Sequence, residues 1–288
     1  MARRALVLGG GGPVGIAWES GIVAGLEHEG VAAGGADLIV GTSAGSVVGA
    51  QLALGRSGEE LLAAQIAEAS RAGSQPSADA APAPDLGPLI QMMMNRPAEG
   101  ELPVPKRVEI GAFALRAKTI GEETFIANFG RVAEARGAFP ERFVCTAIDA
   151  VDGSFATWNK AAGVELGRAV ASSCAVPGIF PPITIKGRRY YDGGIRSTTN
   201  SDLARGYDIV LVVAVTIAAL PPAYRQRLDA EIAALEASCS KPALIVPDAE
   251  CLEIFGFNLM DSSRRTEIAR LGERQGRLEA ARLRDFWN

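Results

Sequence analysis

The sequence predicts an α/β fold around a mixed, mainly parallel sheet. A strand, tight turn and helix follow one another twice before Leu54, the arrangement that builds parallel strands through helical crossovers. Two later pairs of apolar segments fold back around Asp152-Gly153 and Lys186-Gly187, which adds antiparallel strands at one side.

Leu6-Val7-Leu8 is a short apolar run that reaches a glycine stretch, and Pro13 is placed to open a helix through about Glu29. Leu38-Ile39-Val40 repeats the run, Gly41-Thr42-Ser43 makes the turn, and Ala44 to Leu54 is a small-residue helix able to lie close on a sheet. Residues 73–106 break this rhythm with Pro, Ala, Ser and Asp around an apolar patch, Leu89 to Met94. They read as an insertion: either a surface excursion whose methionines pack back on the core, or a lid over a greasy pocket. Arg142 to Ile148 with Ser154 to Trp158, and Ile183 to Ile185 with Arg188 to Tyr191, are the two hairpins. Between them Gly163 to Ser173 has helical spacing and stops before Pro177. Ile209 to Val215 is a fully buried strand, Pro221 to Ala237 a helix and Ala243 to Val246 another strand. A C-terminal helix over residues 262–286 carries arginine and glutamate, read most simply as a solvated face with i,i+4 pairs, the alternative being a membrane-surface or partner-binding role.

The whole chain, residues 1–288, is read as one domain, with 48% hydrophobic residues to form one large core. A net charge of -4 and the lack of a basic stripe interleaved with aromatics outside the C-terminal segment argue against nucleic acid as a partner. Cys145, Cys174, Cys239 and Cys251 are scattered without a C-x-x-C pair, and His28 is the one histidine, so no metal site is predicted and the thiols are expected reduced and buried. Arg3 and Arg4 precede an apolar stretch as in a signal peptide, but that stretch runs into Gly9 without an apolar h-region. The longest apolar run, Ile209 to Leu220, falls short of the ~20 residues that span a bilayer, which predicts a cytoplasmic protein.

Gly41-Thr42-Ser43-Ala44-Gly45 fits G-x-S-x-G, in which a sharp turn between strand and helix pushes a serine hydroxyl out of the sheet. Alone the pentapeptide is weak in a chain with 33 glycines; the apolar strand before it and helix after it are the context that makes Ser43 a candidate nucleophile. A hydroxyl nucleophile needs a base. His28 precedes the serine in the chain and sits at the far end of the first helix, so a carboxylate must serve. Asp192 is the best candidate, because it closes a strand and Gly193-Gly194 permit close approach to another backbone; Asp149 and Asp152 are its rivals, the latter well explained by a hairpin turn. The loop Gly9 to Gly15 can aim main-chain N–H groups into one concavity at a helix N-terminus and so hold an oxyanion. Gly10, Gly12 and Gly15 also satisfy G-x-G-x-x-G, the fingerprint of a dinucleotide-binding oxidoreductase, but no acidic residue ends the second strand as that reading requires.

In combination these blocks resemble the patatin-like phospholipase family, whose hallmarks are a glycine-rich oxyanion loop, G-x-S-x-G and then D-G-G or D-G-A. Ala171 to Pro182, ASSCAVPGIFPP, resembles the A-S-x-x-x-P-x-x-F-P-P stretch that precedes the family's aspartate. The resemblance covers about Ala5 to Asn200, and it departs at Val14, where the family loop commonly carries arginine or lysine. It implies a three-layer α/β/α sandwich and hydrolysis of lipid acyl esters (phospholipid, lysophospholipid or acylglycerol) with no metal or other cofactor. Ser43 would attack the acyl carbonyl, Asp192 would take its proton, and the N–H groups of Gly10, Gly11, Gly12 and Ala44 would hold the oxyanion. The implied partners are a lipid or ester substrate and, transiently, a membrane surface. The competing class is a catalytically weak lipid-binding or regulatory protein on the same fold.

Overall fold

The computed structural model describes residues 2–72, 101–129, 139–216 and 222–288. Strand β1 (Arg4–Leu8) lies at the centre of the sheet, with Ala5 to Leu8 fully buried. Strands β2 (Leu38–Gly41) and β7 (Ile209–Val213) pair with it in parallel on either side, Leu8 standing opposite both Gly41 and Val213. Outside them β3 (Phe143–Asp149) follows β2 and β8 (Lys241–Ile245) follows β7, both parallel. Such continuous apolar strands are what a parallel sheet covered on both faces needs.

The antiparallel part decides the position of the functional residues. Strand β4 (Phe155–Trp158) pairs with β3 from Cys145 to Ile148. A strand has two edges, so β2, which pairs at Phe143 to Cys145, and β6 (Arg188–Asp192), which pairs at Ala147 to Asp149, must share the other edge. They occupy one lane end to end and point at each other. The last residue of β6, Asp192, lies opposite Ala147, two positions along β3 from the partner of Gly41, or roughly 7 Å at strand rise. The short strand β5 (Ile183–Ile185) completes the hairpin with β6 through Lys186-Gly187, both at positive φ as a two-residue hairpin turn demands.

Alternation along the strands divides the core into two apolar layers. Leu6, Leu8, Ile39, Leu211 and Val213 face helices α1 (Gly12–His28), α2 (Ala44–Ala53) and α3 (Gly58–Ala72). Ala5, Val7, Val40, Val210 and Val212 face Leu228 and Leu235 of helix α7 (Pro222–Ala237). The fold is thus an α/β/α sandwich around a mixed sheet of eight described strands. Helices α4 (Val104–Arg116) and α5 (Glu122–Ala127), with α6 (Leu166–Ser173), cover the antiparallel side, and α8 (Ala249–Phe255) leads to the long C-terminal α9 (Arg265–Trp287).

Helices α3, α4, α5 and α8 lie where the sequence analysis placed none. The expected insertion at 73–106 lies outside the described residues as far as residue 100, and residues 104–106 form the first turn of α4. Cys145, Cys174 and Cys251 are buried free thiols, but Cys239 is exposed at a positive-φ turn after α7, against the expectation that all four are buried. The charges of α9 form i,i+4 pairs such as Arg277 with Glu273, and they also clamp other elements, Arg274 on Asp248 and Arg265 on Glu68.

Helices α1 and α9 touch backbone to backbone. A Cβ on Gly21 or Gly25 of α1 would run into the carbonyls of Ala269 and Glu273, and one on Gly272 or Gly276 of α9 into those of Trp18 and Ile22. Trp18 extends the contact by donating its Nε1–H to Gln275 Oε1 at 3.1 Å in the buried seam. Gly25→Ala should therefore destabilise the fold by about 1–3 kcal/mol through overpacking, although alanine is the better helix former by ~1 kcal/mol. Leu278→Ala, on the exposed side of α9, should stay within about 0.5 kcal/mol, both read from urea denaturation midpoints.

Candidate active site

Strand β2 delivers the chain into a sharp turn, and Ser43 at its apex has φ 50° and ψ -114°, a conformation rare for a residue with a side chain. The turn closes because Gly45 lies against Leu8: its N–H donates to Gly9 O at 2.9 Å, and a Cβ there would collide with the Leu8 carbonyl. Ser43 is 7% exposed, so its hydroxyl is aimed into a recess rather than out to bulk water.

Asp192 arrives from the opposite end of the same lane. Its carboxyl accepts a hydrogen bond of 2.7 Å from the Gly194 N–H and lies beside the Ser43 side chain. Burial pushes this carboxyl up to about 7, with the neighbouring Ser43 hydroxyl and the Gly194 N–H pulling the other way. Gly193 has no room for a side chain, since a Cβ would strike Thr146 of β3.

Three consecutive residues at the end of α6 tie the two halves together. Ser173 Oγ accepts the Ser43 N–H at 3.0 Å, Cys174 Sγ donates to the Ser43 carbonyl at 3.2 Å, and the Ala175 carbonyl accepts the Asp192 N–H at 3.1 Å. The sequence marked this segment by resemblance only; its physical purpose is to brace the strained serine and the aspartate from one backbone. Asn200, itself at φ 50°, adds a second brace: its Nδ2 donates to Thr42 Oγ1 (3.0 Å) and Ser197 O (2.8 Å), and also reaches Thr146 and the Gly193 carbonyl. Nothing in the local pattern around Asn200 signals this role, because Thr42 and Thr146 come from two distant parts of the chain.

The glycine loop abuts Ser43 at the N-terminus of α1, where a Cβ on Gly10 would stand 3.4 Å from that of Ser43. Gly10 is not an available donor, however: its N–H is bound to Thr198 O at 2.8 Å, and Gly9 is likewise bound to Val213 O at 3.0 Å. That removes Gly10 from the expected set. Among the described residues, the N–H groups of Gly11, Gly12 and Ala44 donate to no protein acceptor, and Gly12 holds its place with φ +58°. Val14, where a basic residue was the family expectation, is buried and donates its N–H to Leu259 O at 3.3 Å.

Ser43, Gly12 and Ala44 open on a cavity of about 490 Å³. It follows one face of α2 past Val47 to Gln51, with Ile16 of α1 and Ala64, Gln65 and Glu68 of α3 also in its lining. Phe125, stacked on Phe180 at 4.3 Å and edge-on to Phe129 at 5.1 Å, forms an aromatic wall. Met260 and Arg265 come from the C-terminal third.

The other sequence candidates lie elsewhere. His28 is held at the far end of α1 by Glu59, Glu273 and Arg277. Asp149 is buried, but Arg188 (2.5 Å) and the N–H groups of Val151 and Asp152 outweigh that burial and hold its carboxyl below the usual range. Asp152 caps its own turn through Ser154 and pairs with Arg188, which brings it to about 2. Neither contacts Ser43. Among the described residues no group of three His, Cys, Asp or Glu side chains is placed to hold a metal ion, and no helix is long and apolar enough to cross a membrane.

The family model described as patatin-like phospholipase matches residues 6–205, a span that holds the glycine loop, Ser43 and Asp192. Among solved structures the chain is similar to the type III effector protein ExoU, at 18% identity and TM-score 0.43 over 98% of this chain and 53% of that one. It is similar to VipD from Legionella pneumophila at 13% identity and TM-score 0.46, over 98% of this chain and 67% of that one. ExoU in its heterodimeric complex with SpcU, from the type III secretion system of Pseudomonas aeruginosa, gives 18% identity and TM-score 0.40 over 98% and 52%. The chain thus spans about half the length of the ExoU chains. No curated protein matches it.

The environment of Asp192 has a consequence for stability. An unfolded aspartate ionises near pH 4, whereas in the fold the carboxyl keeps its proton to about 7, so stability falls as pH rises between these values and the deficit is constant above. Asp192→Asn, which removes the buried charge, should raise the unfolding free energy by roughly 2–4 kcal/mol at pH 8 and leave it nearly unchanged at pH 4. An equal effect at both values would mean that burial does not govern this group.

Proposed function

The chain belongs to the patatin-like phospholipase family, and from that membership we propose that it is a serine acyl-ester hydrolase acting on lipid esters through a Ser43–Asp192 dyad. The observation that carries this reading is the placement of the Ser43 side chain beside a buried carboxyl that burial raises to about 7, next to unspent main-chain donors and a largely apolar cavity. A base with a pKa close to the working pH combines a large ionised fraction with real proton affinity.

The Ser43 oxygen attacks the acyl carbonyl as its proton passes to Asp192. The tetrahedral oxyanion is received by the N–H groups of Gly11, Gly12 and Ala44, of which the first two carry the positive end of α1. Protonated Asp192 then gives its proton to the departing alcohol, leaving an acyl-Ser43 ester. A water molecule, deprotonated by the same carboxylate, attacks that ester; collapse of the second oxyanion releases the fatty acid and returns the proton to Ser43. Preorganised donors of this kind contribute about 3–4 kcal/mol each in comparable sites, so the donor set matters as much as the base.

On nitrophenyl esters, kcat/KM should rise with pH through about 7 to a plateau, because the ionised form of Asp192 is the active one. Ser43→Ala and Asp192→Asn should each lower it by at least ~10³-fold, and a fluorophosphonate should label Ser43 in the parent protein. A parent protein that stays unlabelled is a binding protein; full activity in Asp192→Asn would assign the base to another group.

A further inference from the structure

The cavity that serves Ser43 is apolar over most of its wall, yet one buried amide in it is unspent. Gln65, 5% exposed on α3, lines the cavity, and its Oε1 has no hydrogen-bond partner. Gln51, Glu68 and Arg265, also in the lining, are occupied. Gln51 donates its Nε2–H to Val47 O at 3.1 Å and accepts from Arg56 Nη1 at 2.5 Å. Glu68 and Arg265 pair with each other. A buried polar group left without a partner weakens the folded state, a loss that a substrate group can recover on binding.

The unpartnered atom is an acceptor on a neutral frame, and the neighbouring charges of Glu68 and Arg265 already neutralise one another. The complementary group is therefore a neutral donor, which a hydroxyl supplies; a phosphate or carboxylate offers no proton to this oxygen and would call for an unpaired cation. Val47 and Gln51 succeed Ala44 along one face of α2, so the cavity runs away from Ser43 by about 10 Å of helix, the direction an acyl chain takes from the attacked carbonyl.

We propose that Gln65 is a specificity-determining residue that hydrogen-bonds a hydroxyl on the acyl chain of the substrate, so that the preferred substrates are esters of hydroxylated fatty acids. The proposal rests on the hydrolase reading for its substrate and on the unpartnered amide for its selectivity.

The test uses 4-nitrophenyl esters of unsubstituted alkanoic acids and of monohydroxylated acids of the same length, the hydroxyl walked along the chain. At one hydroxyl position the parent protein should show a kcat/KM advantage of about tenfold over the unsubstituted ester. Gln65→Leu and the more volume-conserving Gln65→Met should bring that ratio to one or below. Calorimetry with Ser43→Ala supplies a readout free of turnover: it should bind the hydroxylated acid about tenfold tighter than the plain acid, and Ser43→Ala/Gln65→Met should bind both alike. Hydrolysis without any hydroxyl preference, or a preference that survives both Gln65 variants, overturns the proposal while the hydrolase reading stands. A binding preference without hydrolysis leaves the proposal standing and sinks the hydrolase reading. A preference confined to glyceryl over methyl esters of one plain acid places the recognised hydroxyl on the alcohol and overturns the assignment to the acyl chain.

Discussion

A carboxyl group withdrawn from water and set beside a serine side chain is the contact around which the rest of this molecule is arranged. Desolvation gives Asp192 the proton affinity that an exposed aspartate lacks, and the strained backbone of Ser43 presents the hydroxyl to it. Both conditions are costly to the folded state, so both residues need support. The support comes from Ser173, Cys174 and Ala175 on one side and Asn200 on the other, which engage the main chain of the serine turn, the aspartate or the residues flanking them. A site with a histidine can let its base reach from a longer side chain. Aspartate is short, which is why β2 and β6 must meet head to head in a single lane of the sheet.

The site draws on nearly the whole described chain. The first crossover brings the glycine loop and Ser43, the hairpin brings Asp192, and the C-terminal third, which carries no recognisable motif, closes the structure. Leu259 accepts the N–H of Val14, and its carbonyl lies where a side chain on Gly12 would go. Met260 and Arg265 complete the cavity, and the glycines of α9 let that helix press against α1, whose N-terminus faces Ser43. The absence of a cation at Val14 removes a charge next to the oxyanion loop, and the arginine that does line the cavity is matched by Glu68. The cavity lining is accordingly closer to neutral than a phosphate-binding pocket would be.

Much of this was legible in the sequence, because the decisive signals are local. The continuous apolar runs Leu6 to Leu8 and Leu38 to Val40 and the breakers at Gly9 to Pro13 and Gly41 to Ser43 lead to a parallel sheet and a serine turn without coordinates, and the lone misplaced histidine directs attention to a carboxylate. What escaped depends on distant partners. The N–H of Gly10 looks as free as that of Gly11 until Thr198 is brought to it, and Gln65 is an ordinary helical glutamine until the cavity forms beside it. Helix α3 differs: its acidic first turn and its buried Leu61, Leu62 and Gln65 are readable, but it follows α2 directly without a strand between them, outside the strand-turn-helix rhythm.

The most direct test of the account is a titration of the Asp192 carboxyl itself, followed by carbon-detected NMR in protein labelled at aspartate, with Asp192→Asn to assign the signal. The account predicts an inflection near pH 7 that moves upward in Ser43→Ala, where the stabilising hydroxyl is gone. An inflection near pH 4, indifferent to the loss of the hydroxyl, would contradict it.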